Sequence, residues 1–239
     1  MQKKLVVELL DVMQFATPSI VNLDIERTAA KIVAYKKNGT RRSYNMAFEH
    51  LSLISAGHLK KEQFIALMNQ HPDIEWRKFL KEVAALLFDQ FAELGGVWYP
   101  SKRKPIEIFS TVWTKPAIRG VLVRDHVAHP LLVNPRASLS LHNDSYVAFA
   151  GRGVYELHVI DDPQAHGPAI LDLGRHPATK QRHSQIHFLK EVDLMPLEQF
   201  EGILKRFLSA VRLAGFDVNP DAFYTVSDLF RSSPRRDKS

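Results

Sequence analysis

Histidines are the residues of this chain whose types and spacing could do chemistry. Eight of the eleven fall between about Ala117 and Glu191: His126, His129, His142, His158, His166, His176, His183 and His187. His142-Asn143-Asp144 has the His-x-Asp form that two-histidine-one-carboxylate iron enzymes use on a barrel, where three facial positions stay open for reactants. His183 or His187 would supply the third ligand. The triplet is common, however, the interval from His142 is short for such a barrel, and no arginine after His187 is placed to hold an oxo-acid. Asp125-His126, Asn134 and His142 follow the His-Asn-His order of small metal-dependent nucleases, in which a histidine activates water and a divalent ion stabilises the leaving oxygen. That site needs two strands followed by a helix, and Ser145 to Ile160 reads as strand.

The remaining histidine spacings are weaker. His183-x-x-x-His187 lies in a strand-like run, which places both rings on one face about 13 Å apart, too far to share one ion. A helix would bring them together instead. His126-x-x-His129, an odd number apart, would face opposite ways if extended. Most of these histidines therefore read as surface or hydrogen-bonded strand residues. A divalent metal held by His142, Asp144 and His183 is the alternative, and no cofactor is expected on the first reading.

A second constellation interleaves aromatics with cations. Trp98-Tyr99-Pro100-Ser101-Lys102-Arg103-Lys104-Pro105 precedes an expected strand from Ile106 to Trp113, and the pattern continues through Lys115, Arg119 and Arg124. Residues 101–150 hold seven cations against three carboxylates. Such a mixture suits nucleic acid, because bases stack on ring faces while cations track phosphates. Arg41 and Arg42 extend the set if Lys31 to Lys37 and Thr40 to Ala47 form a hairpin around Asn38-Gly39, the strongest short-range hairpin signal. A helix capped by Asp24 and running to Lys37 competes for the same residues. The structural counterpart of this reading is that Trp98 and Trp113 are core residues and Lys102 to Lys104 a solvated loop.

Familiar frameworks are absent. There is no Gly-x-x-x-x-Gly-Lys-Ser/Thr loop, no Gly-x-Ser-x-Gly elbow and no Gly-x-Gly-x-x-Gly motif; Gly151-Arg152-Gly153 lacks the third glycine. The chain contains no cysteine, which removes disulfides and thiolate metal sites and fits a reducing compartment. Its longest apolar run, Val83 to Phe88, is far short of a membrane span. Glu8 and Asp11 interrupt the apolar start, which argues against a signal peptide. A cytoplasmic location follows as the expectation. The formal charge of +6 favours a polyanionic partner, although the tail 231–239 contributes +3 of it.

Elements that must position these residues follow from periodicity. Asp73 caps a helix over 74–94, in which Trp76, Phe79, Leu80, Val83, Leu87, Phe91 and Leu94 repeat at three and four residues, and Gly95-Gly96 stops it. A shorter helix spans Lys60 to Asn69. Pro196 opens another over Leu197 to Ala214, and Ala222 to Phe230 reads as a last short one. Lys4 to Leu10 reads as a buried strand. From Ala117 onward short strands are expected at Gly120–Val123, Pro130–Val133, Ala137–Leu141, Tyr146–Ala150, Val154–Ile160, Ala169–Leu173 and Ser184–Val192.

The resulting expectation is an α+β fold, with an antiparallel β-rich region over about 98–192 packed against amphipathic helices at about 73–94 and 197–214. Residues 1–231 form one domain, with a division into 1–96 and 97–231 as the alternative, and 232–239 are a flexible basic tail. The functional expectation is a nucleic-acid-binding protein without its own catalytic site, contacting DNA or RNA through Trp98, Tyr99, Lys102, Arg103, Lys104, Lys115 and Arg119, with Arg41 and Arg42. A histidine-rich metal-dependent enzyme (nuclease or non-haem iron oxygenase) and a subunit docking on protein partners in a larger assembly are the alternatives. No membrane partner is expected.

Overall fold

The computed structural model describes residues 5–38, 43–101, 106–109, 112–114, 118–159 and 164–220. A short strand β1 (Leu5–Val7) leads into helices α1 (Leu9–Ala16) and α2 (Ile25–Asn38). Helices α3 (Asn45–Phe48), α4 (Leu51–Ser55), α5 (Lys61–Leu67) and α6 (Ile74–Leu94) follow. The strands β2 (Val97–Pro100), β3 (Ile106–Phe109), β4 (Val112–Thr114), β5 (Gly120–Arg124) and β6 (Val127–Asn134) come next. Helix α7 (Asp144–His158), strands β7 (Ala169–Asp172) and β8 (Gln185–Phe188), and helix α8 (Leu197–Leu213) complete the order.

The fold is mixed α and β around a five-stranded, mostly antiparallel sheet of order β2-β5-β6-β7-β8. Within this sheet only β6 and β7 pair parallel, and α7 is the crossover between them. A smaller sheet, β1-β4-β3, joins the amino terminus to the middle of the chain. Successive strand residues point to opposite faces, so the central sheet feeds two cores. Leu132 and Ile170 join α1, α2, α7 and α8, whereas Leu131, Val133, Ala169 and Leu171 join α3 to α6. Strands buried on both sides read as continuous apolar runs, which is why Leu131-Leu132-Val133 and Ala169-Ile170-Leu171 were legible.

Helix α6 forms where periodicity places it. Asp73 accepts from the Trp76 amide at 3.0 Å, and Gly95 closes the helix in the left-handed region at φ 65°. Helix α8 likewise occupies the expected span.

Several expectations are corrected. The hairpin around Asn38-Gly39 does not form: α2 runs to Asn38, started by Asp24, whose carboxylate accepts from the Arg27 amide at 2.9 Å. Burial of Ala29 and Ile32 beside α8 outweighs the turn preference, and an Asn-Gly pair suits a helix end as well as a turn. Of the strand expected over Lys4 to Leu10, the described residues 5–10 divide into β1 and the start of α1. The strand expected over Ile106 to Trp113 is two antiparallel strands, β3 and β4.

The largest correction is α7, which replaces the strands expected at Tyr146–Ala150 and Val154–Ile160. Its β-branched and aromatic residues mimic strands locally, but Tyr146, Phe149, Ala150, Val154 and His158 are buried at helical spacing. Asn143 caps it, accepting from the Ser145 amide at 2.8 Å. Gly151 and Gly153 are close-approach positions: a Cβ on Gly151 would strike Leu189, and one on Gly153 would strike Leu9 at 2.6 Å. Ala137 to Leu141 is irregular, and β8 covers only the middle of Ser184 to Val192.

Candidate functional site

Two places on the fold gather polar side chains from distant parts of the chain, and both lie beyond the carboxyl end of β6. The first is built on the buried pair Asn134 and Asp172, which end β6 and β7. Asn134 Nδ2 donates to Asp172 Oδ1 at 2.6 Å and to the Leu139 carbonyl at 2.7 Å. Asp172 also accepts from the Leu141 amide at 2.8 Å and the Gly174 amide at 3.0 Å. These donors satisfy a carboxylate that is only 1% exposed.

A narrow two-stranded loop then carries histidines over it. The Arg175–Arg182 bridge fixes the register of residues 174–183, and the His183 amide donates to the Gly174 carbonyl at 3.2 Å. Alternation gives that loop two faces. Arg182 turns to α6, where its Nε donates to Glu82 at 3.2 Å, and Arg175 approaches the same carboxylate at 3.9 Å. His176 and His183 turn the other way. The His176 ring lies 4.7 Å from that of His142 and 6.2 Å from that of His183. His183 Nε2 lies 3.3 Å from Asp172 Oδ2, within ion-pair reach but off the line of a hydrogen bond. The set is graded, with exposed His142, half-buried His176, His183 and His187, then buried Asp172.

Burial lowers the pKa of His187, while Asp172 and Asp144 pull it back up. His129, near the other end of β6, is also lowered by burial, partly offset by its contact with the Gly167 carbonyl. His126 sits in the two-residue turn before β6 with φ 64°, so the eight residues of β6 hold it roughly 25 Å from His142. A nuclease arrangement through His126 and His142 is therefore not assembled, even though the helix it requires is present as α7. His142 and His183 approach through His176, and Asp144 is the exposed first residue of α7.

Among the described residues no group of three or more histidine, aspartate or glutamate side chains is arranged to hold a metal ion. The hydrogen bonding of His176 argues in the same direction. Its Nδ1 accepts from the amides of Ala178 and Thr179 at 3.3 and 3.4 Å, which places the proton on Nε2. That nitrogen would have to lose its proton before it could bind a cation.

The second place is an open groove of about 680 Å³. Its walls come from α1, from Tyr35 on α2, from Ser43-Tyr44-Asn45, from Trp76 in the first turn of α6, from Arg119, and from the loop that follows β6. The two arginines here differ. Arg136 is consumed by carboxylates, 2.9 Å from Asp11 and 3.2 Å from Glu8. Arg119 lies 5.2 Å over the Phe48 ring and donates to Asn45 Oδ1 at 3.3 Å, with no carboxylate partner among the described residues. Tyr44 packs its ring 4.9 Å from Trp76 at a tilt of 60°.

No protein-family model, curated protein or solved structure matches this chain.

Of the residues expected to contact nucleic acid, Arg119 lines the groove and Tyr99 stands 56% exposed on the edge strand β2. Trp98 is corrected. It is 2% exposed, edge-on to Phe91 at 5.6 Å, and cannot offer a face to a base. Alternation along β2 turns Trp98 inward and Tyr99 outward. Arg41, Arg42, Lys102, Arg103, Lys104 and Lys115 lie outside the described residues. Of their described neighbours, Ser43 lines the groove, and Ser101 donates its amide to the Arg119 carbonyl at 2.9 Å. Sequence reasoning missed Tyr44 and Asn45. The only available signal was their position two and three residues after the pair Arg41-Arg42. No helix among the described residues is long and apolar enough to cross a membrane.

Proposed function

We propose that this chain is a nucleic-acid-binding protein that engages phosphates and bases at the groove around Arg119. One observation carries the reading. Arg119 is supported on the Phe48 ring and by Asn45, yet no described carboxylate neutralises it, and it lines the same groove as the aromatic Tyr44. A cation with a free charge next to an aromatic is the minimal unit for gripping a phosphate and an adjacent base. The basic segments 41–42 and 102–104 flank residues at this groove in the chain and add counterion-releasing charge. Binding with weak sequence preference and steep salt dependence follows from that chemistry. Neutralising Lys102, Arg103 and Lys104 together is expected to flatten the slope of log affinity against log salt by about 2–3. An unchanged slope removes that segment, and absence of binding at low salt to single-stranded DNA, duplex DNA and RNA removes the reading.

A second reading, a histidine-dependent metal enzyme, is favoured by the run of ring contacts from His142 through His176 to His183, the last of which reaches Asp172, beyond the parallel strands β6 and β7, the end of a sheet where α/β folds place ligands. Elemental analysis of the purified protein tests it. Near-stoichiometric iron, zinc or manganese that is lost on His142→Ala supports it; only trace metal in the wild-type protein removes it.

A further inference from the structure

We infer that the groove takes one unstacked nucleotide of a single strand, with its base against Tyr44 and its phosphate at Arg119, so that single-stranded nucleic acid is preferred over duplex. The inference rests on the nucleic-acid-binding reading and narrows it to a substrate form.

Shape is the first argument. Reading a duplex requires an element that projects into one of its grooves. Here the free arginine and the aromatic residues lie inside a concavity of about 680 Å³, within the range of sites that enclose small molecules. A base can reach such a recess only if it has left its stack, as in single strands and loops.

Charge sets the orientation. Where Glu8 and Asp11 meet Arg136 in the lining, two carboxylates face one guanidinium, so that part of the groove repels phosphate. Arg119, held by a ring and a neutral amide, brings a positive charge that no described carboxylate pairs. The phosphate therefore belongs beside Arg119. Tyr44 lines the same space, braced from one side by Trp76, and a ring braced in this way loses little freedom when a base stacks on it. Exposed Asn45 completes the unit. Its Oδ1 orients Arg119, which leaves its Nδ2 hydrogens to donate to a base edge or a phosphate oxygen.

Fluorescence anisotropy with labelled single-stranded RNA, single-stranded DNA and duplex DNA of one mixed sequence tests the inference. Either single strand is expected to bind more tightly than the duplex, and comparison of the two single strands identifies which sugar is preferred. Tyr44→Leu is expected to weaken single-strand binding about 5- to 150-fold, the range of one lost base stack, while Tyr44→Phe retains it. Arg119→Gln is expected to weaken binding and lower the salt slope by about 0.7. Asn45→Ala, at an exposed position, is expected to weaken binding several-fold without touching the core, and it decides the matter if Tyr44→Leu fails to fold. Duplex preference, or single-strand affinity unchanged in Arg119→Gln and Asn45→Ala, overturns the inference while nucleic-acid binding itself stands. Failure of every probe to bind at low salt overturns both.

Discussion

His183 Nε2 lies 3.3 Å from Oδ2 of Asp172, a carboxylate held by two backbone amides and the side chain of Asn134. Separated by ten residues of loop, the two meet because the Arg175–Arg182 bridge and the bond from the His183 amide to the Gly174 carbonyl fold that loop back over the end of β7. The pair ties the histidine cluster to the most buried polar network of the sheet.

Asp172→Ala should therefore cost stability well beyond one hydrogen bond. It strands the Leu141 and Gly174 amides and the Asn134 side chain in a dry site, at about 3–5 kcal/mol. Urea unfolding measures the loss, and Asp172→Asn, which keeps one acceptor oxygen, should lose less. A loss below about 1 kcal/mol for Asp172→Ala would mean that water replaces the carboxylate.

Gly174→Ala tests the close approach beside that network. The added Cβ would stand 2.5 Å from the Leu139 carbonyl oxygen and 2.9 Å from Asp172 Oδ1. The backbone must shift, at a cost of about 1–3 kcal/mol, read from the same denaturation curves. A melting temperature equal to wild type would contradict the geometry.

Acid should destabilise the fold through His187 and His129. Burial lowers both pKa values, so the unfolded chain takes up these protons first as pH falls below about 6.5. Stability is then present above that pH and is lost as pH drops towards the folded pKa values, with a slope of up to about 1.4 kcal/mol per pH unit for each histidine. His187→Gln should flatten the dependence of melting temperature on pH between about 7 and 5.5. An identical profile would show that the ring is solvated in the folded protein.

Trp98 and Tyr99, adjacent in β2, should separate stability from binding. Trp98→Ala is expected to cost about 3–5 kcal/mol, because the ring is packed on Phe91 and over Gly120. Tyr99→Ala should leave stability within about 0.5 kcal/mol and weaken nucleic-acid binding about fivefold or more. A Tyr99→Ala protein with wild-type affinity would take β2 out of the contact surface.

The residues by themselves determined the elements whose signals are local. Helices α6 and α8 follow from apolar spacing, with Asp73 and Gly95 marking the ends of α6, and β5, β6 and β7 follow from short apolar runs. The α+β class was legible for that reason. Tertiary structure decided what local signals leave balanced. Tyr146 to Val159 suits a strand until Gly151 and Gly153 are pressed against Leu189 and Leu9, and Asn38-Gly39 suits a hairpin until Ile32 is buried beside α8. Parallel pairing of β6 with β7 placed Asp172 beside Asn134, and the loop after β7 brought His176 to His142. Pairing of β2 with β5 sent Trp98 into the core and left Tyr99 outside. Which face of a strand is buried, and which distant side chains meet beyond its end, depends on contacts between segments far apart in the chain, and no local spacing carries that information.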